Sequence, residues 1–110
     1  MTKETVVGRT LLKRQERERD LITDLTHKIV EISEKGIEER RNSVSMSLER
    51  DLVKLFLQDK TAKDFLLVAL EANGLDRSRV GFTLEHRDGS YSGNIAVDLT
   101  NLDDLPFGKR

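Results

Sequence analysis

The run His86-Arg87-Asp88-Gly89-Ser90-Tyr91 sets an imidazole, a guanidinium, a carboxylate and two hydroxyls around a single glycine. Such a cluster suits a phosphate cradle only if the glycine turn leads from a strand into a helix N-terminus, where free amides face the anion. Here both flanks alternate instead. Val80, Phe82 and Leu84 precede the turn and Ile95, Val97 and Leu99 follow it, each interleaved with small or polar residues. Asp-Gly between two such runs signals a two-residue hairpin turn. The register it implies sets Leu84 opposite Gly93, Phe82 opposite Ile95 and Val80 opposite Val97, with both apolar sets on one face. A slip of one residue would break that match. No nucleotide site is expected there.

Asp24, His27 and Glu31 share one face of a helical segment. A carboxylate three residues ahead of a histidine is half of the ligand pattern of carboxylate-bridged metal bundles, which need a second such motif on another helix. The only other histidine is His86, at the hairpin tip. Ser43, Ser45, Ser47, Ser90 and Ser92 carry no GxSxG elbow, and no carboxylate pair is set apart for acid–base work. The chain has no cysteine, which excludes disulfides, zinc–thiolate sites and thiol nucleophiles. The expectation is therefore a protein that is not an enzyme, with no catalytic residues, no metal and no cofactor.

With 110 residues the chain suits one domain, and 36% apolar against 35% charged residues implies a modest core plus one element with little to bury. A formal net charge of −1 supplies no global drive toward nucleic acid or acidic lipid. No apolar run approaches the ~18–20 residues of a membrane helix. The first residues lack the apolar core and cleavage site of a secretory signal. A cytoplasmic protein without membrane contact is expected.

Residues 1–8 end at Gly8 without a clear period and are expected as a lead-in. From about Thr10 to Arg41 helix formers dominate, and Ile22, Leu25, Ile29 and Ile32 recur at helical spacing until Gly36 interrupts them. That stripe serves either a helix packed on its own domain or the seam of a homodimer. Residues 42–47 alternate as a short strand or extended connection. A helix over 48–58 is expected to bury Leu48, Leu52, Leu55 and Phe56. A second is expected to start at Thr61, with Asp64 completing a capping box, to bury Phe65, Leu66, Ala69 and Leu70, and to stop at Asn73-Gly74. The final segment, with Leu105, Pro106 and Phe107, serves as a cover or a docking peptide. The fold class is α+β: a long N-terminal helix, two shorter helices and a C-terminal antiparallel β-hairpin. Residues 1–42 form the lead-in and charged helix, and residues 43–110 a helix–helix–hairpin unit.

The order helix, extended piece, helix, tight turn, helix, hairpin resembles the winged-helix family over roughly residues 43–99. RDLVKLFLQDKTAKDFLLVALEANGL matches its central helix pair in length, and LEANGL looks like the end of its third helix. The resemblance implies that Lys60, Thr61, Lys63 and Asp64 open a recognition helix and that HRDGSY is the wing, with Arg87 on it. The face so defined is not basic, because Asp59, Asp64, Asp76, Glu85 and Asp88 offset Lys60, Lys63, Arg77, Arg79 and Arg87. SVSMSLERDLVKLF also looks like the strand-then-helix opening of a ribbon-helix-helix repressor. There Ser43, Ser45 and Ser47 would face the groove behind Arg40 and Arg41, but the following segment is too short by more than one helical turn.

Two functions are expected on these grounds. The first is a small regulatory or adaptor protein that acts through protein–protein interaction, with Ile22, Leu25, Ile29 and Ile32 as the partner or self-association stripe. The second is a dimeric winged-helix regulator that binds duplex DNA through Lys60, Thr61, Lys63 and Arg87.

Overall fold

A computed structural model describes the backbone of residues 2–102 and the side chains of residues 16–102. The expected cover or docking peptide around Leu105 and Phe107 lies outside the described residues. Rich in Lys, Arg, Glu and Leu and free of proline, the N-terminal part forms one helix, α1 (Thr2–Glu38). The lead-in expected over residues 1–8 is thus helical from Thr2 onward. One interior glycine costs about 1 kcal/mol against alanine, too little for Gly8 to stop strong helix formers on both sides. The helix ends three residues earlier than the expected Arg41. Arg40 takes the left-handed conformation (φ 58°), so that its N–H reaches Ile37 O and the Arg41 N–H reaches Gly36 O at 2.8 Å.

The remaining elements are β1 (Ser43–Ser47), α2 (Arg50–Gln58), α3 (Lys60–Ala72), a 3-10 turn at Arg77–Arg79, β2 (Val80–Arg87) and β3 (Ser90–Asp98). The protein is α+β, as expected. Two helix starts differ from expectation. Leu48 is buried but precedes α2, its N–H held by Gly93 O at 2.8 Å in continuation of the sheet. The cap of α3 is Asp59, whose carboxylate accepts the Thr61 N–H at 2.9 Å, so Thr61 lies inside the helix. At the far end of α3 the Gly74 N–H reaches Glu71 O and the Leu75 N–H reaches Leu70 O, and the fully buried Leu75 packs behind them.

The hairpin has the register inferred from its alternation: Val80 with Val97, Phe82 with Ile95 and Leu84 with Gly93. Asp88 and Gly89 both have positive φ, 52° and 78°, which matches the turn twist to that of the strands. It is not a lone hairpin. β1 pairs antiparallel with β3, giving a three-stranded sheet in the order β1-β3-β2. One face of the sheet is polar and exposed, and the other meets the helices.

The core lies where α1 and α2 cover that inner face and α3 packs against both helices. Ile29, Val53, Leu66, Leu70, Leu75 and Ile95 are all fully buried, each contributing about 1.5–3 kcal/mol of transfer free energy. Along α1 the buried line runs Ile22, Leu25, Ile29, Ser33, Gly36, while Ile32 is only half-buried. A straight helix drifts by about 20° per heptad from a 3.5-residue repeat, so Ile32 slips past Leu25 to the edge of the buried arc while Ser33, one turn on from Ile29, lies inside it. Small residues are required here. A Cβ on Gly36 would lie 2.6 Å from Val44 Cγ1 and 2.7 Å from Leu99 Cδ1. The neighbouring Ser33 hydroxyl is buried without a hydrogen-bond partner.

Two substitutions one turn apart on α1 should therefore have opposite effects. Gly36→Leu should lower the free energy of unfolding by about 1–3 kcal/mol through overpacking. Ser33→Ala, which removes an unsatisfied hydroxyl, should leave it unchanged or raise it by up to about 1 kcal/mol. Urea titrations with a common m-value measure both.

Candidate functional site

Helix α3 is apolar around more of its circumference than one core contact needs. Ala62, Leu66 and Leu70 are buried, whereas Phe65 is 47% and Val68 57% exposed. Phe65 was expected in the core, but that place belongs to Ala62, Leu66 and Leu70 on the side of α3 that is buried. The outward Phe65, Ala69 and Ala72 line a groove of about 470 Å³ against the Thr23, His27, Val30, Glu31 and Glu34 flank of α1. Apart from His27, the ionisable groups on its walls are carboxylates. The groove has an apolar floor and an acidic rim.

The stripe expected to meet a partner is divided by the fold. Ile22, Leu25 and Ile29 are buried within the chain itself, so they hold α1 to its own domain. Ile32 alone stays half-exposed, on the opposite flank of α1 from the groove, beside β1. The residues expected to touch DNA also separate. Lys60 and Thr61 are exposed in the first turn of α3. The Lys63 ammonium instead lies 4.8 Å from the centroid of the Phe82 ring, a cation–π contact worth about 0.5–1 kcal/mol. Phe82 in turn meets Phe56 edge-on at 5.7 Å. Arg87 is exposed at the end of β2.

At the hairpin tip the His86 ring stacks on Tyr91 at 4.2 Å, and the Arg50 guanidinium lies 5.9 Å from the Tyr91 centroid. The tip is thereby tied to the start of α2. Asp24, His27 and Glu31 are exposed along α1. Among the described residues no three His, Asp or Glu side chains gather into a group that would hold a metal ion, and no described helix is long and apolar enough to cross a membrane.

A charged corner joins the end of α3 to the end of β3. Arg77 binds Glu71 through two nitrogens, at 2.8 and 3.2 Å. Hydrogen bonding from that guanidinium holds the Glu71 carboxyl below its ordinary value. Asp76 is lowered in the same sense by the Ser78 hydroxyl and backbone N–H. Asp98 is lowered by the Thr100 hydroxyl and N–H, with a smaller contribution from the Arg79 charge. Arg79 also donates to Asp98 O at 3.1 Å and Thr100 O at 2.8 Å, which pins the chain as it leaves β3.

No known protein family, curated protein or solved structure matches the chain.

The lowered carboxyls make a pH prediction. A carboxyl whose folded pKa lies below its unfolded one stabilises the fold above the unfolded value and loses that contribution as pH falls through the folded value. Stability should thus decline on acidification below the ordinary aspartate range. Thr100→Val should move the Asp98 titration, followed by carboxyl NMR, upward toward its ordinary value.

Proposed function

We propose that this protein acts as a small regulatory or adaptor protein by binding another protein, and that the α1–α3 groove is its docking surface. The observation that carries this reading is the exposure of Phe65 and Val68 on a helix whose opposite side already fills the core. Apolar surface set in a groove with a polar rim is typical of partner-binding sites. An aromatic ring such as Phe65 is the kind of side chain that dominates binding energy. The occupant is an amphipathic helix: its apolar residues at i, i+3 or i+4 and i+7 face Phe65 and Ala69, and its Lys or Arg residues face Glu31 and Glu34. The role requires binding alone, without a catalytic step. A cytoplasmic partner is part of the proposal, in keeping with a chain that has no cysteine.

Winged-helix DNA binding is the second reading. It is supported by the element order and by the β1-β3-β2 sheet packed on a helix pair with a single-residue connection at Asp59. It would use Lys60, Thr61 and Arg87, with Lys63 drawn away from Phe82. The apolar outward side of α3 favours protein over DNA.

Selection of displayed helical peptides against the full chain separates the two. The expected sequences carry the apolar spacing with basic flanks. Phe65→Ala or Phe65→Asp should weaken their binding by about 2 kcal/mol or more while the chain still folds, because the ring is only half-buried and lies outside the core. Selected peptides that bind the two variants undiminished would refute the groove. Duplex-DNA anisotropy at about 50 and 200 mM salt provides the other arm. Steeply salt-dependent binding whose log–log slope falls by about one unit in Lys60→Ala or Arg87→Ala would establish the second reading, and no binding at low salt would end it.

A further inference from the structure

The sheet has two edges, β1 and β2, and only one of them is guarded. In an antiparallel ladder, alternate residues direct their backbone groups toward the paired strand and away from it. Leu48 N–H donates to Gly93 O, and Leu99 N–H donates to Asn42 O, both at 2.8 Å. These bonds bracket β1 and set its phase. Val44 and Met46 bond to β3, so Ser43, Ser45 and Ser47 turn their N–H and C=O groups out of the sheet. Natural edges discourage pairing with charges, proline or bulges. β2 ends in Glu85, His86 and Arg87, whereas Ser43-Val44-Ser45-Met46-Ser47 contains no charge and no proline, and its register with β3 is unbroken.

This edge is also self-complementary. Turned about a two-fold axis through Ser45, it places Ser43 opposite Ser47 of the second copy, Ser45 opposite itself, and Val44 opposite Met46. One step beyond the strand, Arg41 stands opposite Glu49 of the second copy, and both are exposed. On the inner side Ile32, Lys35 and Glu39 of α1 border a groove with Val44 and Ser45. Within one chain the Arg41 guanidinium also meets the Glu39 carboxylate at 2.9 Å, and both groups are exposed beside this edge. In the paired arrangement half-exposed Ile32, Val44 and Met46 gain apolar neighbours.

We infer that two copies of this chain associate through their β1 edges, antiparallel about Ser45, so that two three-stranded sheets become one. The two-fold forms about six inter-strand hydrogen bonds from the outward serine backbones. This surface lies on the opposite flank of α1 from the α1–α3 groove, so the success or failure of either proposal leaves the other standing.

The test is the solution mass of the full chain by sedimentation equilibrium across a dilution series, with two variants. The wild type should reach the dimer mass as concentration rises. Ser45→Pro should remain a monomer with an unchanged far-ultraviolet spectrum, because that N–H faces the free edge and proline is tolerated there. Ser45→Cys introduces the chain's sole thiol. Cα atoms of a hydrogen-bonded pair lie about 5.5 Å apart, within disulfide range. Ser45→Cys should therefore form a covalent dimer about tenfold or more faster than Thr83→Cys on the exposed face of β2, because pairing raises the effective thiol concentration. Three results would overturn the inference: a wild-type monomer at every concentration, equal oxidation of the two thiol variants, or a dimer that persists in Ser45→Pro. If Ser45→Pro does not fold, the thiol pair decides.

Discussion

The approach of α1 to the sheet at Gly36 is the contact on which the other surfaces depend. With no side chain at that position, the helix lies directly against Val44 and Leu99 and so bridges the edge strand and the end of the central one. That depth sets what its two flanks meet. One flank faces α3 across a groove floored by Phe65 and Ala69, and the other borders an open groove beside β1 through Ile32, Lys35 and Glu39. A larger residue at Gly36 would lift α1 and widen both gaps at once. Ser33 serves the same approach, and its unpartnered hydroxyl beneath the helix is a local penalty of up to about 1 kcal/mol.

Polar contacts act mainly at the ends of elements. The Arg79 guanidinium holds the carbonyls of Asp98 and Thr100, Arg77 ties back to Glu71, and the Asp76 carboxylate caps the 3-10 turn through Ser78. All of these groups are exposed or nearly so, and exposed ion pairs contribute little stability individually. Their role is geometric: they fix where α3 hands the chain to β2 and where β3 releases it. The central strand is thereby aligned for β1.

What was legible in the sequence was local. Asp88-Gly89 and its flanking alternation carried the hairpin and its register, since a turn type and a period of two leave one arrangement. Asn73-Gly74 carried the stop of α3. The partner of β1 was not legible, because five alternating residues specify a face but not which strand will pair with it. Thr61 and Ile32 were misplaced for a related reason. Capping by Asp59 and the drift of a 3.6-residue period are decided by one residue of phase, finer than a pattern of apolar spacing resolves. Phe65 was placed in the core because α3 offers Phe65, Leu66, Leu67 and Val68 in succession, and periodicity does not say which of them faces inward. That surplus of apolar residues was nonetheless the sign that α3 has a second side, and it is the signal that would have located the groove.

The insertion of β1 also shapes how the chain assembles. β2 and β3 meet across two turn residues, whereas β1 waits for β3 across about fifty residues that include both short helices, and closing a loop of that length has an entropic cost that grows as (3/2)RT ln n. Contacts of such long sequence separation form late and slow the search. Pairing of the edge strand therefore carries the largest chain-closure cost in the sheet, and its loss would open the sheet at that side. Each opening uncovers not only its own backbone but the flank of β3, the strand on which both sides of the sheet depend.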